Sequence, residues 1–320
     1  MTSPALPTSA PALSIDEELA ARLRPGPLTA RVESIFGRAL NLLTCDNELI
    51  TLCARVLDDA PWSIRVDLAE WSAWRLTVGD PVMLTADAIT FGEPAKHSVT
   101  LNESDTWYAE SIVLGLGTQE LLARARMLAE LLHTHGVAGG MRTPRGPVNV
   151  FDAEVGARLR RGRNALERAV RAGDLPGMAS AITQLLGLGP GLTPAGDDFL
   201  TGMALPAAQP GSRLSAYVEA VRGVLDRHPD RTTPLSRITL REALRGRARQ
   251  SLLDLLHRLL VPDGRDAAQQ AEHLRVPVCR VLGIGHTSGT DLLSGLLTGL
   301  RLEAELSALW QTGSCSSGSG

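Results

Sequence analysis

The sequence predicts an α+β protein, with a small N-terminal β barrel or sandwich followed by a larger, mainly α-helical domain that carries an internally repeated glycine-rich helix-loop-helix. Three observations carry this reading. Short apolar runs, broken by turn residues at roughly ten-residue intervals, occupy the N-terminal third. After Ser104 the apolar period changes from two to about 3.6. Two segments far apart in the chain, 187–202 and 283–295, then repeat one pattern of glycines leading into a helix with an aspartate in its first turn.

Taken in order, residues 1–25 are expected to be an irregular or disordered tail, because the stretch up to Ser14 is rich in Pro, Ser and Ala. Within a β domain spanning 26–103, strands are expected at 30–36, 49–57, 63–68, 82–91 and 98–102. Asp46-Asn47, Asp58-Asp59-Ala60-Pro61 and Gly79-Asp80-Pro81 mark turns between them. Trp62, Trp71 and Trp74 read as core or domain-interface filler rather than as a ligand platform. The helical domain spans 104–311. Its first helix, 118–135, would be capped by Thr118 and end at Gly136. A glycine- and proline-rich stretch, 136–150, reads as a long loop of the kind that often serves function. Further helices are expected at 153–172, 176–186, 197–205, 213–227, 234–245, 250–260, 266–274 and 290–310, with a disordered small-residue tail at 312–320.

Composition narrows the function. The 320 residues include 35 acidic and 32 basic ones, with no Lys/Arg run interleaved with aromatics, so a nucleic-acid partner is not indicated. Lys96 is the only lysine and lies outside any phosphate-binding G-x-x-x-x-G-K context, which argues against a P-loop nucleotidase. Cys45, Cys53, Cys279 and Cys315 show neither a C-x-x-C pair nor metal-ligand spacing, as expected for free thiols in a reducing compartment. No secretory leader and no uncharged apolar stretch of membrane-spanning length occurs, so a cytoplasmic protein with a small-molecule or protein partner is expected.

The repeated turn carries the chemistry. Leu186-Gly187-Leu188-Gly189 leads to Gly196-Asp197-Asp198 and on to Gly202; Leu282-Gly283-Ile284-Gly285 leads to Gly289-Thr290-Asp291 and on to Gly295. Asp197 and Thr290 fall at equivalent positions and read as helix caps. Asp198 and Asp291, one residue on, have no such structural reason and are the first catalytic candidates. Closely spaced glycines ahead of a helix N-terminus can aim several amides at one oxyanion. Gly187, Gly189, Gly191, Thr193, Gly196 and Asp197 in the first loop, and Gly285, Thr287, Ser288 and Gly289 in the second, are therefore candidate binding residues. The two aspartates would either coordinate a divalent cation shared with a bound phosphate, Mg²⁺ being the candidate cofactor, or accept hydrogen bonds from a carbamoyl or amide group. His286, inside the second loop where the first has Pro190, is a candidate proton-transfer group. Ser236 lies in the first turn of a helix opened by Thr233-Pro234 and joins the binding candidates.

At Gly187–Gly202, Thr233–Gly246 and Gly285–Gly295 the chain resembles the oxamate carbamoyltransferase subunit AllH family, over about Arg31 to Leu300. The resemblance implies a part in transferring a carbamoyl group between phosphate and oxamate, forming or phosphorolysing oxalurate in purine degradation, together with other protein subunits. The Ser-Thr-Arg-Thr-Arg phosphate motif of ornithine- and aspartate-type carbamoyltransferases is absent, so neither their fold nor their site is implied. The competing readings are a non-catalytic assembly or regulatory subunit whose glycine loops merely pack helices, and, with no motif in its favour, a nucleotide-dependent phosphotransferase.

Overall fold

The computed structural model describes residues 8–143 and 149–316, in two compact units divided after Ala109. In the first unit the strands are β1 (Ser9–Asp16), β2 (Leu28–Ile35), β3 (Ala39–Thr44), β4 (Leu49–Ala54), β5 (Ser63–Val66), β6 (Pro81–Leu84), β7 (Ala88–Phe91), β8 (His97–Thr100) and β9 (Asp105–Trp107). They pair in the order β5-β4-β3-β2-β6-β7-β8-β1, and β1 returns to β5, closing an eight-stranded barrel. Closure removes the open sheet edges that would otherwise template aggregation. β1 achieves it by dividing its length: Ser9–Pro11 runs parallel to β8, Ala12–Ile15 antiparallel to β5, and Ser14–Asp16 takes β9 as an outer parallel neighbour.

Alternating side chains such as Val32, Leu42, Ile50, Ile64, Ile89 and Phe91 fill the interior, and the short helix α1 (Glu17–Leu23) adds Leu19 and Leu23 to it. Trp71 and Trp74 are fully buried there, edge to face at 5.4 Å, in keeping with their reading as core. The sequence reading is corrected at three places in this unit. Residues 9–23 form β1 and α1, not an irregular tail. β1 escaped notice because its buried positions Ala10, Ala12 and Ser14 are small or polar and the buried Ile15 breaks their alternation, leaving no apolar period to read. β3 was missed since its centre, Asn41, is polar; the side chain is buried but bonded to Ser34 and Thr51. The expected strand 82–91 is a hairpin of β6 and β7, broken where Thr85 Oγ1 accepts from the amides of Asp87 and Ala88. Residues 1–7 and 317–320 of the expected tails, and 144–148 of the expected long loop, lie outside the described residues.

The second unit is helical: α2 (Thr118–His135), α3 (Val150–Ala172), α4 (Leu175–Leu185), α5 (Ala195–Ala207), α6 (Ser215–Arg227), α7 (Pro234–Ala243), α8 (Gln250–Leu260), α9 (Ala267–Leu282) and α10 (Ser288–Ser316). Thr118 is the first residue of α2 rather than its cap, which is Gly117. α9 continues through Pro277 well past the expected end at 274, started by a capping box between Asp266 and Gln269. α10 likewise runs on to Ser316, into the expected tail. No helix among the described residues is long and apolar enough to cross a membrane.

α5 is the centre of this unit, with all thirteen residues buried, and α10 is its most extensive partner. Their crossing needs two glycines. A Cβ on Gly202 would stand 1.9 Å from the carbonyl oxygen of Leu292, and one on Gly295 would stand 1.9 Å from that of Phe199. Backbone meets backbone, so neither helix can yield by moving a side chain. Gly202→Ala and Gly295→Ala are each expected to overpack this contact by at least ~1–3 kcal/mol, lowering Tm by roughly 3–10 °C, whereas Gly211→Ser on an exposed turn lowers it less. Thermal melts of the three variants test this.

Candidate active site

Both glycine-rich loops lie in the helical unit, and each folds back onto the helix before it. A Cβ on Gly196 would come 2.0 Å from the carbonyl oxygen of Leu185, and one on Gly289 would come 2.1 Å from that of Val281. The duplication seen in the sequence is therefore also a duplicated local packing: α4 to α5 in one copy, α9 to α10 in the other. Thr193 Oγ1 and Ser288 Oγ, 2.9 Å apart, join the two loops directly.

Asp197 and Thr290 are not caps. α5 begins at Ala195 after Pro194 in the cap position, and α10 begins at Ser288, so each residue is third in its helix. Both nonetheless do the same kind of work, holding a segment brought from elsewhere. Asp197 Oδ1 accepts from the amide of Gly187 at 2.7 Å, and its Oδ2 takes a short hydrogen bond from the Thr232 hydroxyl. Thr290 Oγ1 accepts from the amide of Val137 at 3.0 Å. Burial raises the Asp197 pKa, against the lowering effect of Gly187, Thr232 and Ser236, which places Ser236 beside this carboxylate. Thr233 caps α7 as expected, and its hydroxyl donates to the carbonyl of Leu192, tying α7 to the first loop.

Asp198 and Asp291, the next residues along, are buried as well, at 6% and 0% exposure, and in each Oδ2 has no hydrogen-bond partner among the described residues. A buried carboxylate oxygen left unpaired is costly, and such atoms concentrate where a ligand or proton is handled. Burial pushes the Asp198 carboxyl up to about 8, assisted by the charge of Asp291 and opposed by hydrogen bonds from Ser288 and Thr193. Burial likewise raises Asp291 to about 7, opposed by the Met141 amide and the Thr287 hydroxyl. Near neutral pH both carboxyls are thus close to their titration, so that each can donate as an acid or accept as a base.

The amides divide sharply. Those of Gly187, Gly196 and Gly289, expected to point at an oxyanion, are taken by Asp197, by the carbonyl of Leu188 and by that of Ile284. These glycines serve close approach instead. The amides of Gly189, Gly191 and Thr193 in the first loop, and of Gly285 and Thr287 in the second, make no hydrogen bond among the described residues. His286 is exposed on the second loop and forms no hydrogen bond to either carboxylate among the described residues. No cluster of three or more His, Cys, Asp or Glu with metal-holding geometry occurs among them either, so a cation here would rest on two carboxylates and neighbouring hydroxyls.

The long loop 136–150, which reads in the sequence as one that often serves function, contributes to the site residues that were not singled out there. The turn after α2 lies over Asp291: the Met141 amide donates to Oδ1 at 2.7 Å, and a Cβ on Gly140, whose φ is +52°, would fall 2.4 Å from both carboxylate oxygens. Only glycine fits there. The Gly139-Gly140 pair in a long loop was the available signal; its partner, 150 residues away, was not.

Two family models match the chain. One, described as oxamate carbamoyltransferase subunit AllH, matches residues 185–300 and so contains both loops; the other, the AllH family N-terminal domain, matches residues 11–106, the barrel. No solved structure matches.

The raised carboxyls make stability fall with pH. Their stabilising protons are fully bound below the unfolded aspartate value and are lost as pH rises through the folded values of about 7 and about 8. Wild type is therefore expected to lose more melting temperature between pH 5 and pH 9 than Asp198→Asn, whose amide does not titrate; parallel curves would refute the burial of a titrating Asp198. Gly140→Ala is expected to displace Asp291 and flatten the same pH dependence, read in the same melts.

Proposed function

Since the chain belongs to the AllH family, we propose that it acts as a subunit of a carbamoyltransferase-type enzyme, together with other subunits, and that its helical unit binds the phosphorylated or carbamoyl small molecule between the two glycine-rich loops. The observation that carries this reading is the pair of buried carboxylate oxygens without partners among the described residues, Asp198 Oδ2 and Asp291 Oδ2, in the first turns of helices that follow loops whose amides are likewise unpaired among them. Carbamoyl phosphate has the complementary inventory: phosphate oxygens that accept from amides, and an NH₂ group that donates to a carboxylate.

In this reading the amides of Gly189, Gly191, Thr193 and Gly285, with the hydroxyls of Thr287 and Ser288, receive the phosphate, while Asp198 and Asp291 face the carbamoyl group. Transfer to oxamate forms a bond from the amide nitrogen to the carbamoyl carbon, breaks the bond from that carbon to the phosphate oxygen and releases one proton from the attacking nitrogen. A carboxylate with a pKa near 7 is suited to take that proton, and a protonated neighbour is suited to donate to the departing phosphate. His286, exposed on the second loop, would exchange the proton with solvent. A Mg²⁺ ion bound with phosphate would use the same two free oxygens, since this ion is commonly held by one or two carboxylates and substrate phosphate. Gly187, Gly196, Gly289, Asp197 and Ser236 shape the loops instead of touching substrate.

The test is thermal melting and turnover of the assembled complex with phosphate, carbamoyl phosphate, oxamate and Mg²⁺, singly and combined. Carbamoyl phosphate is expected to raise Tm, by the equivalent of about 2.7 kcal/mol at a hundred times its Kd, and Asp198→Asn to lose both the shift and at least a hundredfold in turnover while remaining folded. If Asp198→Asn keeps full turnover, the carboxylate pair has no catalytic part and the loops belong to an assembly subunit.

A further inference from the structure

A cleft of the helical unit lies apart from the loops and shares no residue with them. It encloses about 350 Å³, within the range of small-molecule sites, and is lined by the outer face of α8 (Gln250, Leu253, Asp254, His257), by the turn that follows, and by His273 of α9. Most charges around it are matched. Asp263 pairs with Arg265 at 2.7 Å and with the buried Arg124 at 3.3 Å, Arg124 also pairs with Glu120, and Asp254 faces Arg280 at 3.7 Å. Arg258 is the exception. Its half-buried guanidinium meets no carboxylate among the described residues; it donates to the His273 ring, to Nδ1 at 2.8 Å, and lies closer still to Nε2.

A neutral imidazole accepts from a guanidinium but does not neutralise its charge, and both groups bind anions well. The local field agrees: burial, then the charges of Arg258 and Arg265, push His273 below its ordinary value, with Arg124 adding to them and Asp263 alone opposing. The pocket wall therefore presents a planar donor fork with no carboxylate partner among the described residues, beside an imidazole that would gain a proton on meeting negative charge. We propose that this cleft is a second ligand site, which binds a small organic anion through a carboxylate or phosphate group held by Arg258 and His273. Its apolar floor, Leu253 and Ile112, would cover the carbon skeleton of the ligand. A site separate from the carboxylate pair and open to a metabolite is a place from which activity can be regulated.

The inference stands independently of the proposed reaction, and its test keeps the two apart. Oxalate and inorganic phosphate are titrated calorimetrically into wild type, Arg258→Ala, Arg258→Gln and Asp198→Asn, each first shown to be folded by its melting curve. The His273 ring signals are followed by NMR across pH 5–9. Glu110, Asp254, His257, Asp263, Arg265, Arg124 and Arg280 also bear charge around the cleft, so the His273 signal itself is the readout. At least one probe is expected to bind wild type and Asp198→Asn equally, to bind both Arg258 variants at least tenfold more weakly, and to raise the midpoint of the His273 titration. Absence of binding by either probe, binding indifferent to Arg258, or a His273 midpoint that does not move would overturn the proposal; loss of binding in Asp198→Asn would assign the anion to the glycine-rich loops instead.

Discussion

The contact on which the helical unit depends is the crossing of α5 and α10 at Gly202 and Gly295. Because each glycine lies against a carbonyl oxygen of the opposite helix, the two axes approach as closely as main chains allow. That closeness brings the first turns of both helices together, so that Thr193 reaches Ser288 and the charge of Asp291 is felt at Asp198. A few ångströms more between the axes would leave two solvated aspartates with ordinary titration. The packing and the chemistry are thus one arrangement seen at different ends of the same helices.

Symmetry in this arrangement is local and incomplete. Both loops turn back on the preceding helix through a glycine, and both use the third helical residue to hold an incoming segment. The segments differ: Thr232 and the start of α7 close over the first copy, and the Gly139–Met141 turn closes over the second. The carboxyls of Asp198 and Asp291 accordingly have unequal surroundings, two hydroxyls for one, a backbone amide and a hydroxyl for the other. Unequal surroundings are what separate an acid from a base when both begin as the same side chain.

Much of this was legible in the sequence, for identifiable reasons. The recurrence of glycine and aspartate at one spacing singled out Asp198 and Asp291, because a repeated pattern survives the chance matches that defeat a single loop. The change of apolar period marked the passage from strands to helices. The role given to Asp197 and Thr290 was wrong because Pro194 and Ser288 start their helices earlier than side-chain capping rules suggest. The loop holding Gly140 and Met141 was visible as glycine-rich, but its contact with Asp291 spans most of the helical unit, and β1 breaks its apolar residues with Pro11 and Ser14 so that its place is set by its neighbours on the sheet. Local pattern does not reveal such partners.

The manner in which β1 closes the barrel bears on how the protein is made. The first strand in the chain must meet β5, β8 and β9, so its partners extend to Trp107, the last residue of the last strand. During synthesis β2 to β4 can pair as they emerge, each beside its sequence neighbour, whereas β1 gains its first partner only once Ser63–Val66 has emerged and its last only once Asp105–Trp107 has. Closing the barrel is therefore a long-range step, of the kind that is slow beside the pairing of sequence neighbours.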